Sequence, residues 1–319
     1  MTLSDDLTDD LATDRLNAAH KPYLPPLRIP VRRIGARTFD FDRQVAVMAV
    51  VNRTPDSFYD KGRTFALDAA VSASFAAVDD GADWVDIGGA PFAPGAPIPT
   101  EEEADRVLPV IAELRAGSDV VISVDTFHAA VAQAAIRAGA TVVNDTTGLS
   151  DPHLLSVVAD SDATLVITHS LAEPRTFFPR PHYDDVAGEV ARFLADRVDR
   201  AMRAGVPEER IVIDPGHDLN KNTLQSLELT RRLAVIADLG LPTLAAVSNK
   251  DFIGETLAAD RSARLEGSIA AAVISIMNGA RIIRMHNVGA SVAAARMTEA
   301  ILGLWTPTDL RHNMGDVND

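Results

Sequence analysis

Short apolar runs recur along the chain, and each is followed by a longer stretch with helical spacing. Apolar runs that are rich in β-branched residues and lack polar alternation are typical of strands buried on both faces. The pattern predicts eight such strands, at residues 45–51, 83–87, 120–124, 141–143, 163–168, 210–213, 242–247 and 281–285. Strands that alternate with helices in this way predict an α/β fold with a parallel sheet.

A polar side chain lies at or just past the end of every predicted strand. The eight residues are Asn52, Asp86, Asp125, Asn144, His169, Asp214, Ser248 and His286. In a (β/α)₈ barrel the carboxyl ends of the strands share the face that carries the active site. An open doubly wound sheet also binds ligands there, but no G-x-G-x-x-G follows the first strand. We therefore predict a single-domain (β/α)₈ TIM barrel.

The segments before and after the alternating strands and helices predict the limits of this domain. Residues 1–27 are charged and then proline-marked, which predicts a flexible N-terminal arm. Residues 28–44 alternate weakly around Gly35, which predicts a hairpin that caps the lower mouth of the barrel. The barrel itself is expected over residues 28–303, and residues 304–319 are expected to form a polar tail.

The stretches between the predicted strands contain sequence features that are typical of helices. Thr100 and Glu103 form a capping-box pattern, and Pro109 predicts a kink in the helix that follows. Residues 184–204 predict an outer helix that ends at Gly205. Its apolar stripe would be Val186, Val190, Phe193, Leu194, Val198, Ala201 and Met202. The Ala-rich stretches 264–279 and 288–303 predict close helix packing, for which a partner subunit is one candidate.

Composition narrows the function classes. The chain has 319 residues, no cysteine, 47% hydrophobic residues and a net charge of −15. A chain without cysteine has neither disulfides nor thiolate chemistry, and the acidic balance argues against nucleic acid. No apolar run approaches the roughly 18 residues of a membrane span, and the acidic N-terminus is unlike a signal peptide. We expect a cytoplasmic protein without a membrane partner.

The polar strand ends suit a flat heterocycle joined to an anion. A buried carboxylate such as Asp125 or Asp214 can accept two parallel N–H bonds from an amidine-like edge. Asn144 matches a mixed donor–acceptor edge. Lys250 could reach a ring carbonyl or nitrogen. Arg284 and His286 are two apart on a strand and would point the same way, which suits an oxyanion such as phosphate.

Each of these residues also has a purely structural interpretation. Asp125 could cap the following helix, and Asn144, Asp145 and Asp214 could all be turn residues. Lys250, which is followed by Asp251, could be half of a solvated surface pair. The histidines show no H-x-x-x-H spacing, so a zinc site is disfavoured; they are His169, His217 and His286.

Seven motifs, in order, resemble those of the dihydropteroate synthase family over about residues 45–300. They are NRTPDSF (52–58), DIGGAPFAPGA (86–96), SVDT (123–126), NDTTG (144–148), DPGHDLNK (214–221), SNKDFIG (248–254) and RMHNV (284–288). The resemblance implies a barrel that joins p-aminobenzoate to 6-hydroxymethyl-7,8-dihydropterin pyrophosphate, with pyrophosphate leaving. It also implies a homodimer and Mg²⁺ as cofactor.

The resemblance assigns roles residue by residue. The implied pterin pocket and substrate-binding set is Asp125, Asn144, Asp214, Lys250 and Ser248, with Arg284 and His286 on the pyrophosphate. Catalysis would rest on Lys250, Asp125 and Asp214. Asn52 would help to bind Mg²⁺, and the loop from Arg53 to Gly62 would close over the reacting centre.

Several motifs depart from the family pattern. The family's second loop reads ESTRPG, and its Thr-Arg is here Phe92-Ala93. The family's SRK has become Ser248-Asn249-Lys250, and Arg53 and Tyr59-Asp60-Lys61 alter the first loop. The family's DPGFGFGK has become DPGHDLNK, with Asp218 and Asn220 in place of glycines.

The changes spare the pterin side and fall on the p-aminobenzoate side, as in divergent actinobacterial second copies of the family. One hypothesis is a pterin-binding homologue in which the standard condensation is impaired or lost. A second is an active synthase with a rebuilt second loop. A third is a pterin-dependent methyltransferase subunit, although no corrinoid domain is present.

Overall fold

Eight parallel strands form a closed barrel in the computed structural model, which describes residues 24–52, 62–309 and 312. The strands of the described chain are β1 Val31–Ile34, β2 Arg37–Asp40, β3 Ala46–Asn52, β4 Trp84–Gly88, β5 Val121–Asp125, β6 Val142–Asp145, β7 Thr164–Thr168, β8 Ile211–Asp214, β9 Thr243–Ala245 and β10 Ala280–Met285. Strands β3 to β10 follow one another around the barrel, and β10 closes it against β3. The predicted (β/α)₈ barrel is confirmed.

Helices follow the barrel strands on the outside. They are α1 Gly62–Asp79, α2 Thr100–Gly117, α3 Ala129–Ala138, α4 Leu154–Ala159, α5 Val186–Arg203, α6 Thr223–Arg231, α7 Ala234–Ala237, α8 Asp251–Leu257, α9 Leu265–Met277 and α10 Val288–Ile301. Two short 3₁₀ turns occupy Glu208–Arg210 and Arg261–Ala263. No helix in the described ranges is both long enough and apolar enough to cross a membrane.

Strand β9 is shorter than the predicted 242–247. It pairs with β8 only at Ile213 and Thr243, and its ladder with β10 shifts register between Ala280 and Ile282. The residues that follow, Ala246 to Ser248, are still buried, so the apolar signal there reports burial rather than strand pairing.

Two apolar layers result from the alternation of side chains along each strand. Outward residues pack under the helices. Inward residues fill the barrel, and the strand residues among them are Ala46, Met48, Trp84, Val121, Val142, Val166, Val212, Leu244 and Ile282. This interior filling is what a small barrel requires, because an open lumen would leave these side chains without contacts.

The hairpin of β1 and β2 closes the amino-terminal mouth of the barrel, as predicted. Phe39 and Phe41 are fully buried and stack at 5.6 Å, and Phe39 meets Trp84 edge-on at 6.0 Å. The buried Arg32 donates to the carbonyl of Ile211 at 2.8 Å, where β8 begins. With one end of the barrel plugged, ligands have access from the opposite face.

Two details of the predicted helices are wrong. Helix α2 starts at Thr100, but its N-cap is Pro99, which makes no side-chain cap bond; Glu103 is buried and contacts His128 at 2.7 Å instead. The helix is continuous through Pro109 to Gly117, and the kink at Pro109 stays a prediction. On α5, Met202 is 43% exposed rather than part of the buried stripe, whereas its neighbour Ala201 is fully buried.

Several predicted features lie outside the described residues. They are most of the N-terminal arm, the first-loop residues 53–61 and all of the C-terminal tail beyond 309 except residue 312. Leu24, at the start of the described chain, packs against the core.

Candidate active site

A cavity of about 670 Å³ opens at the carboxyl ends of the barrel strands. All of the predicted site residues line it: Asn52, Asp125, Asn144, Asp214, Ser248, Lys250, Arg284 and His286. The structure therefore brings together residues that are up to 234 positions apart in sequence, from 52 to 286. Of the polar strand ends, Asp86 and His169 are buried beside the cavity rather than on its wall.

The period of two along a strand explains this convergence. Val142 and Ile282 point into the barrel core, so Asn144 and Arg284, two residues further on, point into the cavity above it. The register pairs Asp125 with Asn144 on the neighbouring strand. The site is thus the last inward layer of the barrel, with polar side chains in place of apolar ones.

Arg284 is the centre of the charged network. Its guanidinium donates to Asp86 Oδ2 at 2.7 Å and to Asp125 Oδ2 at 3.1 Å. Asn144 Nδ2 also donates to Asp86 Oδ2, at 3.2 Å. Asp86 was not among the predicted site residues; the sequence signals for it were its position at a strand end and at the start of the DIGGAPFAPGA motif. In this arrangement Arg284 orients carboxylates, whereas the sequence predicted that it would hold an oxyanion.

The carboxylates of the cavity have raised pKa values. Burial and the neighbouring Asp86 raise the pKa of Asp125 to about 7, although Arg284 and Lys250 oppose the shift. Burial raises the pKa of Asp214 to about 6, against the N–H of Gly216, which donates to Asp214 Oδ1 at 2.7 Å. Both carboxyls therefore titrate within reach of neutral pH, where a bound cationic or N–H-rich group would favour their charged form.

The structure distinguishes the aspartate and asparagine residues with a turn or capping role from those that line the cavity. Asp125 does not cap helix α3, whose N-cap residue is His128. Asp145 is the turn residue after β6, since its Oδ1 accepts from the N–H of Thr147 at 2.8 Å, and Asn144 is left on the cavity wall. Asp214 does both: its Oδ1 accepts from the N–H of Gly216 in the turn after β8, and its side chain lines the cavity.

Lys250 lines the cavity and does not pair with Asp251, whose carboxylate contacts Arg264 at 3.0 Å. Burial lowers the pKa of Lys250, while the carboxylate of Asp218 raises it. The backbone of Lys250 is held because its carbonyl accepts from the guanidinium of Arg264 at 3.1 Å. Asp218 accepts from the N–H of Asp251 at 2.5 Å and so caps the helix that begins just after this lysine.

Ser248 and His286 form a hydrogen-bonded pair. His286 Nδ1 lies 2.9 Å from Ser248 Oγ, and the backbone N–H of His286 donates to the same oxygen at 3.1 Å. Burial and the cations Arg284, Arg261 and Lys250 lower the pKa of His286 to about 4. The imidazole is neutral at pH 7 and would meet an anion as an N–H donor rather than as a charge.

The loop after β8 keeps the left-handed backbone that the family's glycines would adopt. Asp218 has φ +64° and Asn220 has φ +50°, and Asn and Asp are the residues that tolerate this region best after glycine. Asn220 Oδ1 accepts from three donors at 3.0 Å each; they are Ser170 Oγ, Leu171 N and Ala172 N. These two substitutions therefore tie the loop to its neighbours.

Lys221 and His169 were not predicted as a pair. Lys221 Nζ donates to His169 Nδ1 at 2.9 Å and to the carbonyls of Gly216 and Leu219 at 2.9 and 3.0 Å. Burial lowers the pKa of Lys221 to about 7. The three donors of this ammonium are all used within the protein, so the pair fastens the β8 loop to the end of β7.

The second loop, with Phe92 and Ala93 on the cavity wall, is held from the other side of the site. Arg175, in the loop after β7, donates from its guanidinium to the carbonyls of Ala93 at 2.6 Å and Ala96 at 3.0 Å. Its backbone N–H also donates to the carbonyl of Phe92 at 3.0 Å. A Cβ on Gly95 would lie 1.9 Å from the guanidinium, so a larger residue there would displace the end of the Arg175 side chain.

The described residues contain no cluster of three His, Cys, Asp or Glu side chains that could hold a metal ion. Asn52 offers one amide oxygen near Asp125: a Cβ on Gly88 would lie 3.2 Å from Asn52 Oδ1 and 3.7 Å from Asp125 Oδ2. Mg²⁺ commonly takes one or two protein oxygens and completes its shell with water and substrate phosphate. The residues present fit an ion of that kind.

Comparisons with known proteins agree with the fold. A model of the family described as pterin binding enzyme matches residues 48–286. The protein named inactive dihydropteroate synthase 2 of Mycobacterium tuberculosis is 45% identical over 268 residues, covering 82% of this chain and 84% of that protein. Dihydropteroate synthase of Escherichia coli K12 is 38% identical over 257 residues, covering 80% and 91%.

A solved structure, that of Xanthomonas albilineans dihydropteroate synthase with 4-aminobenzoic acid, superposes with a TM-score of 0.80 at 39% identity. The match covers 86% of this chain and 98% of that one. The chain belongs to the pterin binding enzyme family, as a homologue of dihydropteroate synthase.

Proposed function

We propose that the cavity binds 6-hydroxymethyl-7,8-dihydropterin pyrophosphate. The observation that carries the proposal is the convergence of Asp125, Asn144 and Asp214 on one cavity. Asn144 Oδ1 is buried and has no hydrogen-bond partner among the described residues, which a ligand N–H would supply. Membership of the pterin binding enzyme family supports the same ligand.

Each side chain has a role in this proposal. Asp125 and Asp214 accept from the N–H edge of the pterin, and Lys250 donates to its ring carbonyl or nitrogen. As the bond to pyrophosphate breaks, positive charge develops on the pterin, and the two buried carboxylates stabilise it. Arg284 and His286 would bind the pyrophosphate, and Ser248, which is hydrogen-bonded to His286, would contribute to substrate binding.

Mg²⁺ is part of the proposal, with Asn52 as its protein ligand. When bound, the ion would neutralise charge on the leaving pyrophosphate. The support is the amide oxygen of Asn52 beside Asp125, in the space that Gly88 leaves open.

We further propose that condensation with p-aminobenzoate is impaired or lost. Ala93 and Asn249 stand where the family has arginine, and Phe92 where it has threonine. A hydrogen bond to a charged group is worth about 1.5–3 kcal/mol, so each loss costs roughly ten- to a hundredfold. The word "inactive" in the name of the mycobacterial relative supports this interpretation.

An active synthase with a rebuilt second loop is the second candidate. It is favoured by Arg175, because the guanidinium supplies the ordering of that loop which the missing arginine would otherwise provide. However, the Nε and Nη1 of Arg175 donate to carbonyl groups of the loop, which is a different role from that of a cation facing a substrate.

The proposal includes a cytoplasmic homodimer. Helices α9 and α10 pack together and carry apolar side chains that are at least 45% exposed; they are Ile274, Met277, Met297 and Ile301. A second copy of the chain would cover them.

Calorimetric titration with the pterin pyrophosphate and Mg²⁺ tests the pocket. Wild-type protein should bind, and Asp125→Ala and Lys250→Ala should each abolish measurable binding. Asp162→Ala, which removes an exposed carboxylate, is the matched control. Undiminished affinity in both site variants would refute the pocket assignment.

A further inference from the structure

His217 is a buried polar residue on the cavity wall that the proposed function does not use. Its side chain is 0% exposed, and it lies three residues after Asp214 in the loop that follows β8. Neither Nδ1 nor Nε2 has a hydrogen-bond partner among the residues that the structure describes. A buried polar group without a partner lowers the stability of the fold, so its presence requires an explanation.

The other polar residues of this loop are satisfied within the protein. Asp218 accepts from Ser226 Oγ and from the N–H groups that begin α8, Asn220 accepts from the segment after β7, and Lys221 uses its three donors. These side chains hold the loop in place. His217 is the exception, because it lies in the same packed loop and its ring nitrogens have no partner among the described residues.

The ring is held and neutral. It stacks against Phe252 with centroids 6.1 Å apart and an interplanar angle of 29°. Burial, with the cations Lys221 and Lys250 nearby, lowers the pKa of His217 to about 3. A neutral imidazole has one N–H donor and one acceptor nitrogen, both in the plane of the ring.

We propose that His217 is a specificity-determining residue, one nitrogen of which forms a hydrogen bond with a polar group of the ligand. The two ring nitrogens point in divergent directions, so a single ligand group meets one of them, as donor or acceptor according to the tautomer. A ring N–H, a carbonyl or a hydroxyl has this chemistry. The family motif DPGFGFGK has phenylalanine at this position and so presents an apolar ring. The inference rests on the proposed function and selects among ligands of that cavity. The polar group belongs either to the pterin pyrophosphate or to the second substrate.

The test compares wild type with His217→Phe, His217→Gln and the control His153→Phe, which changes an exposed histidine. Thermal unfolding without ligand comes first. Removing an unsatisfied buried group should raise the Tm of His217→Phe by about 2–4 °C, and the control should not change. Calorimetry then measures the pterin pyrophosphate alone, followed by p-aminobenzoate added to that complex.

A loss of tenfold or more in pterin pyrophosphate affinity for His217→Phe, restored in His217→Gln, would place the polar partner on the pterin ligand. Unchanged pterin affinity with p-aminobenzoate binding weakened tenfold or more in His217→Phe, and restored in His217→Gln, would place it on the second substrate. An unchanged or lower Tm for His217→Phe would overturn the proposal, because the nitrogens would then be satisfied within the protein. Affinities for both probes within twofold of wild type would also overturn it. Binding of the pterin by wild type checks the proposed function independently.

Discussion

At the scale of single residues, one guanidinium serves two carboxylates. Arg284 contacts both Asp86 and Asp125, so this buried group carries one negative charge in excess. Burial, followed by the neighbouring charge of Asp86, raises the pKa of Asp125 to about 7. The free site therefore holds a carboxyl that a ligand rich in N–H donors would ionise.

The raised pKa predicts how stability depends on pH. An unfolded aspartate has a pKa near 3.9, so between about pH 4 and pH 7 the native state binds more protons at Asp125 than the unfolded state does. The free energy of unfolding should therefore fall as the pH rises through this window, and Asp214 acts in the same direction. Chemical denaturation at pH 5 and pH 8 measures the slope.

Asp125→Asn should make this slope shallower, because the amide does not titrate. Asp162→Asn, at an exposed position, should leave the slope as it is in wild type. Equal slopes for Asp125→Asn and wild type would contradict the assigned pKa.

The second loop gives a prediction about activity. If Phe92 and Ala93 account for impaired condensation, the double variant Phe92→Thr, Ala93→Arg should increase dihydropteroate formation by about ten- to a hundredfold. Ala96→Arg adds the same charge elsewhere in the exposed part of this loop and should not. The rate of pyrophosphate release with p-aminobenzoate measures the effect, and an equal gain in both variants would show that only net charge matters.

At the scale of elements, the loop after β8 is held by side chains where the family has glycine. Asp218→Ala removes the acceptor that caps α8 and leaves alanine, which tolerates the left-handed region less well than aspartate, at φ +64°. Loss of a cap costs about 0.5–2 kcal/mol, and aspartate and alanine both carry a Cβ at this φ, so we expect a loss of about 1–2 kcal/mol in unfolding free energy.

Asp218→Asn is the matched control, since asparagine tolerates the same backbone and keeps an acceptor oxygen. It should lose less than half as much stability by denaturant titration. If the alanine and asparagine variants were equally stable, the capping role of Asp218 would be wrong.

Sequence patterns predicted the elements of this fold well because both periods, two along strands and 3.6 along helices, are local. Side chains alternate between the two faces of a strand, so the residue two positions after an inward core residue faces the cavity at the strand end. The positions of Asn144 and Arg284 could therefore be predicted from the sequence alone. The capping role of Thr100 failed because Pro99 took the cap position. Asp86 and Arg175 could not be assigned, since their partners depend on strand register and on the paths of two loops across space.

At the scale of the whole molecule, the barrel has one plugged mouth and one open mouth. The hairpin residues Phe39 and Phe41 fill the amino-terminal end, and every predicted site residue faces the other. The exposed apolar face on α9 and α10 is separate from both ends and is where we expect the second subunit.

This arrangement predicts a homodimer by light scattering. Met297→Glu should shift the protein towards monomer, because Met297 is 62% exposed on α10 and a charge there would be buried in the interface. Val235→Glu, at an exposed apolar position on α7, should leave the dimer intact. A monomeric wild type, or equal dissociation of both variants, would contradict this interface.

The most direct test of the central claim follows binding and chemistry in one sample. The protein is saturated with 6-hydroxymethyl-7,8-dihydropterin pyrophosphate and Mg²⁺ under calorimetric observation, and p-aminobenzoate is then added while pyrophosphate release is measured. We predict binding of the pterin with release at least about tenfold slower than that of the Escherichia coli enzyme. Release as fast as that of the Escherichia coli enzyme, assayed in parallel, would contradict the loss of condensation, and absence of binding would contradict the pterin pocket itself.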